Sequence, residues 1–154
     1  MPTTIPAPRT HPDLAHTAQL VVETAPEPRE VRRVRQEMEK VLLAWEIAHV
    51  VDDVLLVASE LVTNAVRHAP CPEIGFTATY GEGLLLIQVH DGSINPPMLR
   101  HESVGNAESG RGLGLVHCLT RDWGWTPHAD GTKSTWALID VRILAGLVPP
   151  PVGH

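Results

Sequence analysis

The stretch ASELVTNAVRHAP (residues 58–70) carries an apolar stripe and a polar stripe on one helix. Glu60 and Asn64 are four residues apart, so their side chains lie on one helix face, one turn above the other. A carboxylate and a carboxamide held together offer oxygen ligands to a hard cation, although such a pair taken alone is the usual pattern of a solvated surface. The apolar residues recur at the spacing of an amphipathic helix, and they are Ala58, Leu61, Val62, Ala65 and Val66.

The sequence on both sides of this helix predicts an α+β domain. A tight GEG turn joins two of the predicted strands as a hairpin, and the second of them is apolar almost throughout, as a central strand would be. The order of elements is typical of a two-layer α/β sandwich, in which helices cover one face of a mostly antiparallel sheet. Strands are predicted at 17–25, 73–80, 84–91, 123–128 and 133–141, and helices at 29–48, 52–69 and 112–122.

Composition sets the expected domain limits. Residues 1–17 hold four prolines and few large apolar side chains, so we expect a disordered lead-in. Residues 144–154 form a proline-rich tail, which leaves one domain at 18–143. No apolar run approaches the roughly 18 residues of a membrane span. The N-terminal residues lack a signal-peptide pattern, and these two features together predict a cytoplasmic protein without membrane contact.

The charge of the chain argues against direct contact with nucleic acid. The net charge is −6, from 12 basic and 18 acidic residues, whereas a nucleic-acid binder shows a basic face. The densest basic run, at 29–35, is interrupted by Glu30, which is typical of a solvated helix face. A partner-binding patch is the alternative interpretation of that run.

A second motif, HDGSINPP (residues 90–97), follows the apolar strand. Asp91 stands where that strand gives way to a loop, and a half-buried carboxylate there can accept a hydrogen bond from a ligand amine. The alternative is an aspartate that only caps a turn. The residues from 92 to 110 show no periodicity, and a stretch of that length in a compact domain predicts a functional loop.

A third motif, SGRGLGL (residues 109–115), places Gly110, Gly112 and Gly114 at the start of a helix. Glycine allows close approach of the backbone, and the free N–H groups of a helix start complement a phosphate. A glycine-rich turn with no ligand is the alternative. The motif fits neither the P-loop pattern nor the dinucleotide fingerprint.

Together the three motifs resemble the ATP-binding elements of the GHKL, or Bergerat-fold, ATPases. ELVTNAVRHA (60–69) resembles the N box, DGS (91–93) the first glycine box and GRGLGLV (110–116) the second. GTKSTW (131–136) resembles the terminal strand that closes the nucleotide pocket. The resemblance covers about residues 20–141, and the ELVTNA wording is most similar to the anti-sigma-factor serine kinases of bacteria.

The resemblance implies an ATP and Mg²⁺ site with roles for individual residues. Asn64 takes the place of the magnesium-binding asparagine, and Glu60 that of the general base. Asp91 takes the place of the aspartate that accepts a hydrogen bond from the adenine amino group. Thr135, on the last strand, is the implied second residue that reaches adenine. Arg67 or His68, at the end of the N-box helix, could contact a phosphate. The alternative is a positive charge that the dipole favours at the C-terminal end of a helix. The remaining nucleotide-binding residues implied by the resemblance are Arg67, His68, Ser93, Gly110, Arg111, Gly112, Leu113 and Gly114.

The implied function is that of an anti-sigma-type regulator. Such a protein uses Mg-ATP to phosphorylate a serine on an anti-sigma antagonist protein and sequesters a sigma factor; whether it forms a homodimer is left open. Ser93 replaces the usual second glycine of the first glycine box, and Glu108 stands where well-characterised relatives carry arginine. A carboxylate cannot stabilise a transferring phosphoryl group as arginine does, which favours a non-catalytic ATP-gated regulator as the alternative. The catalytic domain of a histidine kinase is a third interpretation, disfavoured because no phosphoacceptor motif precedes the first predicted helix.

Overall fold

The computed structural model describes residues 5–12, 14, 18–68, 73–92, 97 and 112–142. Every predicted helix and strand is present, in the predicted order, and among the described helices none combines the length and apolarity needed to cross a bilayer. The helices are α1 (Arg29–Ala44), α2 (Val51–His68) and α3 (Gly112–Leu119), with a single 3-10 turn at Ala48–Val50. The strands are β1 (Ala18–Thr24), β2 (Ile74–Gly81), β3 (Leu84–Asp91), β4 (Asp122–Pro127) and β5 (Lys133–Asp140).

The five strands form one antiparallel sheet in the order β1-β2-β3-β5-β4. β3 lies at the centre, where both of its edges are paired, in agreement with its nearly continuous apolar sequence. The α2 helix packs against β2, β3 and β5, with α1 and α3 on either side of it. The predicted α+β sandwich, with helices on one face of a mostly antiparallel sheet, is confirmed.

Strand alternation gives the sheet two distinct faces. On β3, Leu85, Ile87 and Val89 point toward the helices and are fully buried in the main core. On the other face, Trp136 and Leu138 belong to a small separate cluster. A polar side chain that follows the inward phase of β3 or β5 is therefore enclosed between the sheet and the helices.

The α1 helix ends earlier than predicted, by one turn. Its last helical residue is Ala44, and Glu46 adopts a left-handed conformation with φ of 61°. The Ile47 N–H donates to the Leu42 carbonyl at 3.0 Å and the Glu46 N–H to the Leu43 carbonyl at 3.1 Å. These two bonds form a Schellman cap, which normally carries glycine at the left-handed position. The sequence therefore held no visible stop signal at that residue.

The α3 helix is also shorter than predicted, because its C-terminal residues join the sheet. The Thr120 hydroxyl donates to the Val116 carbonyl at 2.7 Å, which satisfies one of the last helical carbonyls. The Arg121 N–H then donates to the Leu138 carbonyl at 2.8 Å. The chain thus enters β4 at Asp122, directly after the helix.

Pro6 and Arg9 hydrogen-bond to β4. The Arg9 N–H donates to the Trp125 carbonyl at 3.0 Å, and the Trp125 indole N–H donates to the Pro6 carbonyl, also at 3.0 Å. The Arg9 guanidinium lies over the Trp136 ring, 5.1 Å from its centroid, on the face away from the helices. The domain limits, the disordered lead-in and the tail at 144–154 stay predictions, and the tail lies outside the described residues.

Candidate nucleotide-binding site

The α2 helix presents Glu60 and Asn64 at the border between the core and solvent. Asn64 is buried, with 7% of its surface exposed, although it carries a polar carboxamide. Glu60, one turn earlier, is partly exposed. Leu61 and Ala65, beside them, are in the main core and fix the rotation of the helix. The predicted pair therefore does not lie on an ordinary solvated face.

The C-terminal end of α2 holds the next two predicted residues. Arg67 is exposed, and the backbone of His68 forms the last helical residue. The His68 side chain lies outside what the structure describes. For these two residues a phosphate-contacting role stays a prediction.

The N-terminal turn of α3 contains three of the predicted phosphate-binding residues, Gly112, Leu113 and Gly114. The α3 helix packs against α2, so this turn belongs to the same layer as Asn64. The first N–H groups of a helix have no partner within the helix and point outward along its axis. Of the other predicted residues in this group, Ser93, Gly110 and Arg111 lie outside the described residues.

The strands β3 and β5 contribute a small polar region to the inner face of the sheet. Asp91, Lys133 and Thr135 are 2%, 3% and 4% exposed. Asp91 and Lys133 are directly opposite each other in the β3–β5 register, and Thr135 is opposite Val89. All three side chains follow the inward phase that Val89 and Ala137 share. The inward side of β3 and β5 thus carries three buried polar side chains, and these include the predicted base-binding residues Asp91 and Thr135.

Asp91 and Lys133 form a buried ion pair. The Lys133 ammonium donates to Asp91 Oδ1 at 3.0 Å and to Oδ2 at 2.9 Å. The two side chains are 2% and 4% exposed, so neither charge is solvated from outside. A buried charge is tolerated when it is paired and hydrogen-bonded in this way. The pairing holds the Asp91 carboxylate in a fixed orientation.

Sequence reasoning missed Lys133. A lysine at the start of a strand is ordinarily exposed, and the sequence alone does not show that β5 pairs with β3. One signal was present, because Lys133 shares the strand phase of Thr135, Ala137 and Ile139. An inward-phase lysine at the start of one antiparallel strand meets an inward-phase aspartate at the end of its neighbour.

Residues 24–136 match the histidine kinase-like ATPase domain family. The chain belongs to this family. The match runs from the end of β1 into β5 and includes Glu60, Asn64, Asp91 and Thr135. Membership supports a GHKL-type, ATP-binding protein. No curated protein matches the chain.

The residues of this histidine kinase-like ATPase domain fit a magnesium ion that arrives with ATP. Within the described ranges, no group of three or more His, Cys, Asp or Glu side chains comes together to hold a metal. Mg²⁺ needs no such cage, because it is commonly held by one or two protein oxygens, substrate phosphates and water. The carboxamide oxygen of Asn64 and the carboxylate of Glu60 are hard ligands of the required kind.

A cavity of about 510 Å³ lies on the other face of the sheet. Its lining includes His90 and Ser134, which follow the outward phase of β3 and β5. The His90 ring stacks on that of His128 with centroids 5.1 Å apart, and His128 Nε2 lies 2.9 Å from the Ser134 hydroxyl. Among the predicted site residues that the structure describes, only Asp91 reaches this lining. Because the sheet separates the cavity from α2, we do not assign the nucleotide to it.

Proposed function

We propose that this histidine kinase-like ATPase domain is a Mg-ATP-binding regulator that acts as a serine kinase on an anti-sigma antagonist protein. The observation that best supports it is the enclosed polar region of Asp91, Lys133 and Thr135 beneath the Glu60 and Asn64 pair. Burial of Asn64, Asp91, Lys133 and Thr135 costs desolvation, and a ligand that uses these polar groups accounts for that cost.

The two layers supply complementary parts of the proposed site. Asp91 accepts a hydrogen bond from the adenine amino group. Thr135 lies on the same inner face, two residues beyond Lys133 on β5. Asn64 would hold the Mg²⁺, which would supply positive charge to neutralise the ATP phosphates. The N–H groups of the first turn of α3 would complement the phosphate charge. The nucleotide would therefore lie between sheet and helices.

The proposed phosphoryl transfer uses Glu60 as the base. Glu60 removes the proton from a serine hydroxyl of the partner, and that oxygen bonds to the γ-phosphorus of ATP. The bond between the γ-phosphorus and the bridging oxygen breaks, and ADP leaves with the electron pair. Glu60 is partly exposed, as a base that must meet the side chain of another protein has to be.

Phosphoryl transfer from γ-labelled ATP to a co-encoded antagonist protein tests the kinase proposal. We expect the wild type to label a serine and Glu60→Gln to lose roughly a hundredfold or more of the rate while still binding ATP. Glu37→Gln, on the exposed side of α1, is the matched control and keeps the wild-type rate. Absence of labelling by a wild type that binds ATP would overturn the kinase step and leave ATP binding in place.

A non-catalytic ATP-gated regulator is the second candidate, favoured by Glu108 and Ser93 in the sequence. In this case nucleotide changes the affinity of a protein partner without turnover. Its signature is a partner that binds more tightly, or less tightly, with Mg-ATP than without it, while no phosphate is transferred. Equal partner affinity in both conditions would argue against this candidate.

A further inference from the structure

We infer that Lys133 is a second residue that contacts the nucleotide base. It donates a hydrogen bond to a ring nitrogen of the base, next to the amino group that donates to Asp91. The inference rests on the proposed nucleotide binding and names a contact that the three sequence motifs do not contain. Lys133 and Asp91 are opposite each other on β5 and β3, so both heads lie at one point of the inner face.

The hydrogen-bond inventory of the pair supports this contact. A lysine ammonium has three N–H donors, and an ionised carboxylate has about four lone-pair sites. Two Lys133 donors engage the two Asp91 oxygens. Within the described part of the chain no other hydrogen bond of the Lys133 ammonium is found, which leaves its third donor for a ligand. The pair therefore places a lysine donor beside the carboxylate that contacts the base in the proposed function.

The matching ligand edge carries a donor next to an acceptor. Adenine presents such an edge in its 6-amino group and the adjacent ring nitrogen N1. An amino group aimed at Asp91 brings N1 next to the Lys133 ammonium, since that ammonium lies within 3.0 Å of both Asp91 oxygens. In a site shielded from water such a hydrogen bond to a charged donor is worth more than in solution.

A purely structural role is the competing interpretation. In that case Lys133 only neutralises Asp91, and changing the acceptor on the base has no effect on affinity. The two roles differ in one respect that can be measured on the unmodified protein, which is the response to an ATP analogue that lacks N1 as an acceptor.

Calorimetric titration of the wild type with ATP and with 1-deaza-ATP, in which a C–H group replaces N1, makes this comparison. We expect 1-deaza-ATP to bind roughly tenfold to a hundredfold more weakly, the loss of a hydrogen bond to a charged group. The control analogue, 7-deaza-ATP, keeps N1 and should bind within about threefold of ATP. Equal affinity for ATP and 1-deaza-ATP would overturn the inference.

Lysine ammonium signals give a spectroscopic readout of the same contact. The chain contains two lysines, Lys40 and Lys133, so protein labelled with ¹⁵N-lysine gives a simple spectrum. Lys40 is on the surface, with 73% of its side chain exposed, and serves as the internal control. We expect ATP to shift the Lys133 signal and 1-deaza-ATP to shift it much less. Identical shifts with both nucleotides would contradict a direct contact.

The Lys133→Met variant tests whether the difference in affinity between the two nucleotides depends on Lys133. It should bind ATP and 1-deaza-ATP with equal affinity, whereas the matched Lys40→Met variant should retain the full discrimination. Because the analogue comparison on the wild type needs no variant, poor folding of Lys133→Met leaves the test intact. A wild type that binds no ATP would overturn the proposed function itself, whereas binding without discrimination overturns only the role of Lys133.

Discussion

At the scale of single residues, the Asp91–Lys133 pair dominates the energetics of the site. Both charges are withdrawn from water, and their mutual attraction has to offset that desolvation. Removing one partner leaves a buried charge without its counter-ion, whereas replacing both partners by apolar side chains removes the desolvation cost as well. Such a pair is therefore weak evidence for stability.

A double-variant cycle tests this energy balance. We expect Lys133→Met to lower the free energy of unfolding by about 3 kcal/mol, because Asp91 is left unpaired. The double variant Asp91→Leu with Lys133→Met should regain most of that loss and bind no ATP. Urea unfolding measures the first effect and calorimetry the second. A double variant as unstable as the single one would show that the pair contributes net stability.

The carboxylate of Asp130, in the turn before β5, is expected to make the stability of the protein depend on pH. The Thr132 hydroxyl donates to its carboxylate at 2.6 Å and the Thr132 N–H at 3.1 Å, and these bonds hold the pKa of Asp130 below its ordinary value of 3.8. A pKa that is lower in the folded state contributes stability above 3.8, and this contribution is lost as the pH falls through the folded pKa.

The measurement for Asp130 is an NMR titration of its side-chain carboxyl carbon. Thr132→Val removes the hydroxyl donor, which is the larger cause, and should raise the pKa of Asp130 toward its ordinary value. An unchanged Asp130 titration in the variant would contradict the hydrogen-bond explanation.

At the scale of helices and strands, local periodicity was sufficient to predict each element. The 3.6-residue spacing of α2 and the apolar run of β3 were visible in the sequence, because each is set by the contacts of one face. The end of α1 was predicted wrongly, because Glu46 occupies a left-handed position where glycine is the usual signal. Lys133 was missed for a different reason, since its environment depends on a strand partner more than forty residues away.

Relieving the conformation at Glu46 should stabilise the protein. A non-glycine residue in the left-handed region costs about 1 kcal/mol, so Glu46→Gly should raise the free energy of unfolding by roughly that amount. Glu39→Gly, in the exposed middle of α1, should instead lower it by about 1 kcal/mol. Denaturant midpoints of the two variants check both signs, and a loss of stability in Glu46→Gly would contradict the cap geometry.

Two strand glycines on the outer face give a matched comparison of packing. An added Cβ at Gly124 would approach Cζ2 of the Trp136 indole to 2.8 Å, which no rigid ring can accommodate without shifting. An added Cβ at Gly75 would meet only His90 Cβ at 3.6 Å, an ordinary contact. We expect Gly124→Ala to lose about 2 kcal/mol of stability and Gly75→Ala less than about 0.5 kcal/mol, measured by urea unfolding. Equal losses would show that Trp136 is free to move.

At the scale of the whole molecule, the order of elements was enough to predict the two-layer sandwich. One helix layer on one antiparallel sheet is the arrangement in which each amphipathic element covers its apolar side. The candidate site is assembled from α2, β3, β5 and α3, whose residues are far apart along the chain. Periodicity cannot bring such segments together, so those site residues followed from the resemblance, and their role in nucleotide binding stays a prediction.

The most direct test of the proposed site is calorimetry with ATP, in the presence and absence of Mg²⁺, on the wild type and on Asn64→Ala. We expect the wild type to bind Mg-ATP at a single site and Asn64→Ala to bind it roughly tenfold or more weakly. Without Mg²⁺ the two proteins should bind ATP equally, because Asn64 acts through the metal. A wild type that binds no Mg-ATP, or an Asn64→Ala variant with undiminished affinity, would contradict a nucleotide site between the helices and the sheet.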